Sequence, residues 1–331
     1  MIFRSPYPDV AISNSSVTTF ALRRSTEFAD RTALIDGSSG ATVTYKELAS
    51  SIRKAAGGLV SRGFGKGDVL AIYSPNCITY PVAFHGAAYA GGIVTTVNPQ
   101  YTPKELASQL RDSGARFLVT TSMFLEKARQ AAKETGNIQE IFTFDDTPGA
   151  TPFSALLEAP ELEEGPQINP ATDLVALPYS SGTTGGSKGV MLTHRNLVAN
   201  MTQLDGLESK CRPLTEVDKL IAVLPFFHIY GLLVIMNYAL SRGAAIVVLG
   251  RFDLAEFLEV IQDQRVTFAH LVPPILLALA KHPLVDAYDL SSLQGIVSGA
   301  APLGEDLAQA VEDRLGCVVA QGYGLTETSP V

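Results

Sequence analysis

Residues 44–73 read TYKELASSIRKAAGGLVSRGFGKGDVLAIY, a helix and a strand in immediate succession. Thr44-Tyr45-Lys46-Glu47 is a capping-box sequence, in which the threonine hydroxyl accepts the N–H three residues on and the glutamate reaches back to the threonine N–H. Leu48, Ile52, Ala55 and Leu59 then recur at three- and four-residue steps, one apolar stripe on a helix that stops near Gly63. Residues 69–73 are a compact apolar run, as expected of a buried strand. Working outward, residues 77–90 read as helix and 93–97 as strand. Thr102-Pro103-Lys104-Glu105 opens another helix with proline at its first position, and 116–120 returns as strand. Short strands alternating with helices predict an α/β fold, with mostly parallel sheets covered by helices.

Residues 145–170 turn rich in Pro, Glu and Gly without a sustained period, which predicts a surface connection. The expected organisation is a first α/β subdomain over residues 1–150, a connection over 151–170 and a second α/β subdomain over 171–331. In the second, strands are expected near 174–179, 220–224, 245–249, 267–272 and 295–298, with helices at 254–264 and 303–315. No short-period repeat or low-complexity tract interrupts this alternation. The text stops at Val331, just after a glycine-rich turn, and reads as cut rather than finished.

Composition narrows the function. With 331 residues, 46% of them hydrophobic, the chain can bury a large core, so global disorder is excluded. Asp and Glu outnumber Lys and Arg by 33 to 25, which leaves no broad basic surface for nucleic acid. At a net charge of −8 the overall field repels anions, so an anionic substrate needs a local cradle of N–H groups and a cation. Cys77, Cys211 and Cys317 lie too far apart for paired metal or redox spacing and read as ordinary buried thiols of a reducing compartment. The longest apolar run, 229–240, falls short of the ~20 residues of a membrane span, and the first residues lack a signal-like stretch, so the chain reads as soluble.

Such a cradle stands at Ser180-Ser181-Gly182-Thr183-Thr184-Gly185-Gly186-Ser187-Lys188-Gly189, directly after an expected strand. Glycines let the backbone approach a ligand, hydroxyls supply directional donors, and Lys188 adds a mobile charge for terminal phosphates. A Walker A loop needs glycine before the lysine and Ser or Thr after it, whereas Ser187 and Gly189 occupy those positions. A second constellation is Gln321-Gly322-Tyr323-Gly324-Leu325-Thr326-Glu327. Tyr323 can lie against a purine, Thr326 can donate to a phosphate, and Glu327 can hold Mg²⁺ through oxygen. By itself this stretch is equally a tight turn capped by Thr326. Ser298-Gly299-Ala300-Ala301-Pro302-Leu303 is likewise a strand-to-helix turn on steric grounds. His228 stands in Pro225-Phe226-Phe227-His228-Ile229-Tyr230-Gly231, and chemistry alone makes it a satisfied half-buried side chain. His85, His194, His270 and His282 read as structural. No Gly-x-Ser-x-Gly elbow, nucleophile triad or zinc spacing is present.

The Ser180–Gly189 loop resembles the signature loop of the adenylate-forming superfamily, with Ser187 where proline is common, and the Gln321–Glu327 stretch resembles that superfamily's second motif. Over nearly the whole chain, including VPPILLALA at 272–280 and DLSSL at 289–293, the text is most similar to 4-coumarate:CoA ligases and acyl-CoA synthetases. The resemblance implies an enzyme that activates a carboxylic acid with ATP and Mg²⁺ and passes the acyl group to CoA. It places Ser180, Ser181, Gly182, Thr183, Thr184, Gly185 and Lys188 on the phosphates, with Ser298, Gly299, Ala300, Gln321, Gly322, Tyr323, Gly324 and Thr326 completing the nucleotide site. His228, Tyr230, Gly299, Ala300 and Gly322 would line the acid pocket, with Lys188, Thr326, Glu327 and His228 acting in the chemistry and Glu327 on the metal. In relatives a ribose-binding aspartate, a hinge and a mobile carboxy-terminal domain with a catalytic lysine follow this region, so the 331 residues alone are expected to be severely impaired.

An amino-acid adenylation domain that loads a carrier protein is an alternative, but residues 226–235 carry no acid to pair a substrate ammonium. A truncated product that binds nucleotide or acyl ligand without turnover is another. Phe227, Tyr230 and the small Gly299, Ala300 and Gly322 suggest an aryl acid such as 4-coumarate first and a fatty acid second. A cytoplasmic location is expected, with a peroxisomal one left open because such an address sits at a carboxy terminus.

Overall fold

The computed structural model describes residues 7–180, 187–206 and 211–331. Along the chain the strands are β1 (Thr32–Asp36), β2 (Thr42–Thr44), β3 (Val69–Tyr73), β4 (Ile93–Val97), β5 (Ala115–Thr120), β6 (Glu140–Thr143), β7 (Thr151–Pro152) and β8 (Leu174–Ala176). There follow β9 (Tyr179–Ser180), β10 (Lys188–Gly189), β11 (Leu192–Thr193), β12 (Lys219–Ala222), β13 (Ala245–Val248), β14 (Phe268–Leu271), β15 (Gly295–Ser298) and β16 (Val318–Gln321). One sheet has the order β11-β8-β4-β3-β5-β6-β7, the other β16-β15-β14-β12-β13-β1-β2, and β9 with β10 forms a separate hairpin. Pairing is parallel except at β1/β2, β8/β11 and β9/β10.

Side-chain alternation along the strands builds the layers. On β3, Leu70 and Ile72 face one core while Val69, Ala71 and Tyr73 face another. On β12, Leu220 and Ala222 join Leu70 and Ile72 in the same central core, and Ile221 turns to the opposite side. The two sheets therefore share one core, with the helices Tyr45–Ser61 and Tyr80–Tyr89 packed between them. Helices Pro103–Ser113 and Leu125–Thr135 cover the outer face of the first sheet. Leu254–Gln264, Pro273–Lys281 and Glu305–Leu315 cover that of the second. Both anticipated helix starts hold: Thr44 with Glu47, and Thr102 with Glu105, form complete capping boxes.

The chain does not part between the sheets at residues 151–170. β1 pairs with β13 of the second sheet, and β8, beyond the connection, pairs with β4 of the first. These are long-range pairings without a local sequence signal. The connection is also more than a surface link, since Phe153 and Leu156 are buried in the central core. Two glycines of the helix Tyr45–Ser61 make the room: a Cβ on Gly57 would overlap the Pro160 carbonyl, and one on Gly58 the Leu156 carbonyl. Among the described residues no helix is long and apolar enough to cross a membrane. Cys77, Cys211 and Cys317 form no disulfide with one another; Cys211 and Cys317 are buried and Cys77 is partly exposed at its surface.

Gly58→Ala gains about 1 kcal/mol of helix propensity, but forcing a methyl against rigid backbone costs more, typically ~1–3 kcal/mol or above. Urea unfolding is therefore expected to show a lower midpoint for Gly58→Ala, and a raised midpoint would show that the connection yields freely.

Candidate functional site

The site lies at the carboxyl ends of the second sheet's parallel strands. β12 connects onward to β13 on one side, while β14, its neighbour on the other, leads away to β15 and β16. Outgoing connections that diverge in this way open a crevice between adjacent strand ends, the usual ligand position in open α/β sheets. The segment after β12 carries His228 and Tyr230, β15 ends at Ser298, and β16 ends at Gln321. A cleft of about 770 Å³ opens there, within the range of small-molecule sites.

Two expected constellations meet in it. The β9–β10 hairpin sets Lys188 opposite Ser180 and Gly189 opposite Tyr179. Ser180 Oγ donates to Glu327 Oε1 at 3.0 Å, so the hydroxyl-rich loop and the Tyr323 turn touch directly. Both Ser180 and Lys188 line the cleft, and so do Gly322, Tyr323, Gly324, Thr326 and Glu327. Lys188 is exposed and makes no ion pair among the described residues. Ser181, Gly182, Thr183, Thr184 and Gly185 lie outside the described residues. Tyr179 anchors the hairpin: its hydroxyl donates to Asp112 Oδ2 at 2.5 Å on the helix Pro103–Ser113. Burial, then the Asp112 bond, raises the phenol pKa, so this donor stays protonated.

The turn at Tyr323 is built by backbone bonds. Gly322 N–H donates to Ser298 O at 2.9 Å, and Leu325 N–H to Pro330 O at 2.8 Å. A Cβ on Gly324 would overlap the Pro330 carbonyl, so only glycine lets the turn close. Tyr323 is left 82% exposed, its ring free to stack on a ligand. Gln321 does not itself line the cleft; its Oε1 accepts from Leu303 N at 3.1 Å, tying this turn to the Ser298–Leu303 stretch. Within that stretch Ser298 is buried behind the surface, whereas Gly299 and Ala300 line the cleft. Ala300 adopts a left-handed φ of 66°.

Tyr230 and Gly299 form one wall. A Cβ on Gly299 would lie 3.3 Å from the Tyr230 ring, so the glycine lets the ring lie close to the backbone. Tyr230 is held by His270, whose Nδ1 is 2.9 Å from its hydroxyl. His270 is buried and does not itself line the cleft, but it touches a residue that does. A lone histidine in an apolar strand carries no signal for such a contact. Of the other three, His85 and His194 are buried, with Nδ1 bonded to Thr18 and to Val17 N, and His282 caps the turn at Leu284. His228 is exposed to the cleft, but partial loss of water lowers its pKa. Its Nδ1 accepts from Tyr230 N at 3.2 Å, which puts the proton of the neutral ring on Nε2.

Among the described residues no group of three or more His, Cys, Asp or Glu is placed to hold a metal ion. Glu327 is the one carboxylate among the described residues lining the cleft, so a cation there would share its ligands with a bound phosphate. That donor set suits a metal–nucleotide more than a resident metal.

The residues of this cleft place a cation and hydroxyls beside an exposed aromatic turn in an α/β domain, groups that suit a phosphate and a flat ring. The chain belongs to the AMP-binding enzyme family, whose match covers residues 22–331. It is 42% identical to a 4-coumarate–CoA ligase of Pinus taeda over 335 residues, covering 100% of this chain and 62% of that protein. It therefore spans about three fifths of the relatives it matches. Among solved structures, a long-chain-fatty-acid–CoA ligase from Archaeoglobus fulgidus superposes with a TM-score of 0.89 at 26% identity, over 99% of this chain and 68% of that one. An anthranilate CoA ligase in complex with anthranoyl-AMP superposes with a TM-score of 0.86 at 25% identity, over 95% of this chain and 60% of that one.

Lys188→Ala removes a cation that makes no ion pair among the described residues; if its charge answers the terminal phosphates of a nucleotide, the substitution should weaken binding of ATP at least tenfold while weakening AMP less. Calorimetry with both nucleotides checks this, and equal losses would move Lys188 away from those phosphates. A pH dependence follows from the buried rings. Burial lowers His85 to about 3 and His194 and His270 to about 4. In the unfolded chain each binds a proton below about 6.5. The unfolded state thus takes up more protons as pH falls from 6.5 towards 4, and stability declines over that window. Urea midpoints should be lower at pH 5 than at pH 7.5; an unchanged midpoint would mean these rings are protonated in the fold.

Proposed function

We propose that this chain provides the nucleotide and acid sites of an enzyme that activates a carboxylic acid as its acyl-adenylate and passes the acyl group to CoA. The observation that carries this reading is the meeting of the Lys188 hairpin and the Tyr323 turn in one cleft whose opposite wall holds His228, Tyr230 and Gly299. A substrate carboxylate oxygen attacks the α-phosphorus of ATP and pyrophosphate leaves. The CoA thiol then attacks the acyl carbonyl, AMP leaves, and the thiol proton goes to solvent. The protein works through position and charge, as befits transfer at phosphorus. Lys188 and Ser180 hold the terminal phosphates, together with the hydroxyls of Thr183 and Thr184. Thr326 donates to the α-phosphate, and Tyr323 stacks on the base. His228 offers Nε2–H to the carboxylate, orienting one oxygen for attack. Mg²⁺, held by Glu327 and the phosphates, supplies charge neutralisation when bound.

The acid is proposed to be an aryl acid of the 4-coumarate class ahead of a fatty acid. The Tyr230 ring set close against Gly299, in a cleft also lined by Ala300 and Gly322, makes a narrow slot suited to a planar group. An amino-acid substrate is disfavoured, since Glu327, the only carboxylate among the described cleft residues, is bonded to Ser180 on the phosphate side.

The test is acid-dependent exchange of pyrophosphate into ATP. It uses this chain extended by the carboxy-terminal remainder of the Pinus taeda relative, with parallel calorimetry of ATP on the 331-residue chain. The expected result is exchange with 4-coumarate above that with hexanoate and none with amino acids. ATP binding without exchange for any acid would favour a ligand-binding role without turnover. Gly299→Val, which pushes a branched side chain into the Tyr230 ring, should raise KM for the aryl acid about tenfold with little change for ATP.

A further inference from the structure

The segment that presents His228 is held from outside its own sheet. Phe226 N–H donates to Asn76 Oδ1 at 2.7 Å, while Asn76 Nδ2 donates to Ala222 O at 3.2 Å and Leu224 O at 2.9 Å. Thr96 Oγ1 donates to Phe227 O at 2.7 Å. Asn76 follows β3 and Thr96 lies in β4, two strands paired side by side in the first sheet. Both side chains are buried, at 7% and 2% exposure, so these bonds are shielded from competing water. The orientation of the Asn76 amide is not arbitrary. Its nitrogen faces two carbonyls, which only accept, and its oxygen faces an N–H, which only donates.

Within the segment the slack is small. His228 N–H donates to Pro225 O at 3.2 Å, Leu232 N–H to His228 O at 2.9 Å, and Tyr230 N–H to His228 Nδ1 at 3.2 Å. Gly231 closes the turn because a Cβ there would overlap the Pro225 carbonyl. The ring therefore takes its direction from the segment, and the segment takes its place from Asn76 and Thr96.

We propose that Asn76 and Thr96 are positioning residues that hold the His228 imidazole towards the reacting carboxylate, so that β3 and β4 set the geometry of an acid site built on the other sheet. This rests on the acid-binding role of His228 proposed above. An apolar core would fill the same space, but it would leave the Phe226 N–H and the Leu224 carbonyl unpaired and free to shift, with the Ala222 carbonyl keeping only its bond from Leu249 N.

The experiment follows the His228 imidazole by NMR titration in the 331-residue chain and in Thr96→Val and Asn76→Asp. With the bracket weakened, the ring should rise towards the ordinary value of about 6.5 and lose its single tautomer, while His85 and His194 titrate as before. Asn76→Asp adds a signature. As a carboxylate it repels the Ala222 and Leu224 carbonyls, whereas the protonated acid can donate to one of them, so the disturbance should shrink as pH falls. In the extended chain, each variant should lower the exchange rate about tenfold or more with ATP affinity changed less than twofold. In a His228→Ala background the same substitutions should cost less than twofold. A His228 titration that stays unchanged in both variants, or losses that add fully in the His228→Ala background, would overturn the proposal. Absence of exchange in the unsubstituted protein would instead sink the acid-activation reading, with the NMR titration still deciding the bracket.

Discussion

Everything at the site depends on four parallel strands, β12, β14, β15 and β16, ending on the same side of one sheet, with β12, β15 and β16 releasing their chains into one cleft. Parallel pairing fixes this, because every strand reaches that edge by its carboxyl end. The segment with His228, the Ser298–Ala300 turn and the Gln321–Glu327 turn are the exits of β12, β15 and β16. The β9–β10 hairpin comes to meet them, and the bond from Ser180 to Glu327 is the point where it does. That bond is exposed, so its own energy is small; its meaning lies in what it brings within reach.

Electrostatics then explains why the recognition groups are local. A chain at net charge −8 does not draw in a polyphosphate by its overall field. Lys188, without an ion pair among the described residues, can bind one despite that field together with hydroxyls and backbone N–H groups concentrated on a few turns, and only where geometry brings them together. The aromatic side of the cleft follows the opposite logic. Tyr230 rests on Gly299 and bonds to a His270 kept neutral by burial, so this wall offers shape and a fixed dipole rather than charge.

What could be read from the sequence was what is local. The capping boxes at Thr44 and Thr102, the stripe of Leu48, Ile52, Ala55 and Leu59, and the strand 295–298 depend on neighbours within a few residues, and all are present. The two glycine-rich stretches that reach the cleft stood out in the sequence because glycines, hydroxyls and a lysine were crowded together for reasons packing alone does not supply. Hidden from sequence were the pairings at a distance: β1 crossing to β13, β8 returning to β4, and the single core between the sheets. The contact of His270 with Tyr230, the hold of Asp112 on Tyr179 and the Asn76 bracket belong to the same class. Each joins residues tens of positions apart, and neither partner looks unusual by itself.

The central claim is that the Lys188 hairpin and the Tyr323 turn grip one nucleotide together. Hydrogen exchange of the chain, followed by mass spectrometry across an ATP titration, tests it most directly. Peptides spanning 179–190 and 319–328 should gain protection along the same saturation curve, with the Lys188→Ala variant displacing both curves equally. Protection confined to one peptide, or two curves with different midpoints, would contradict it.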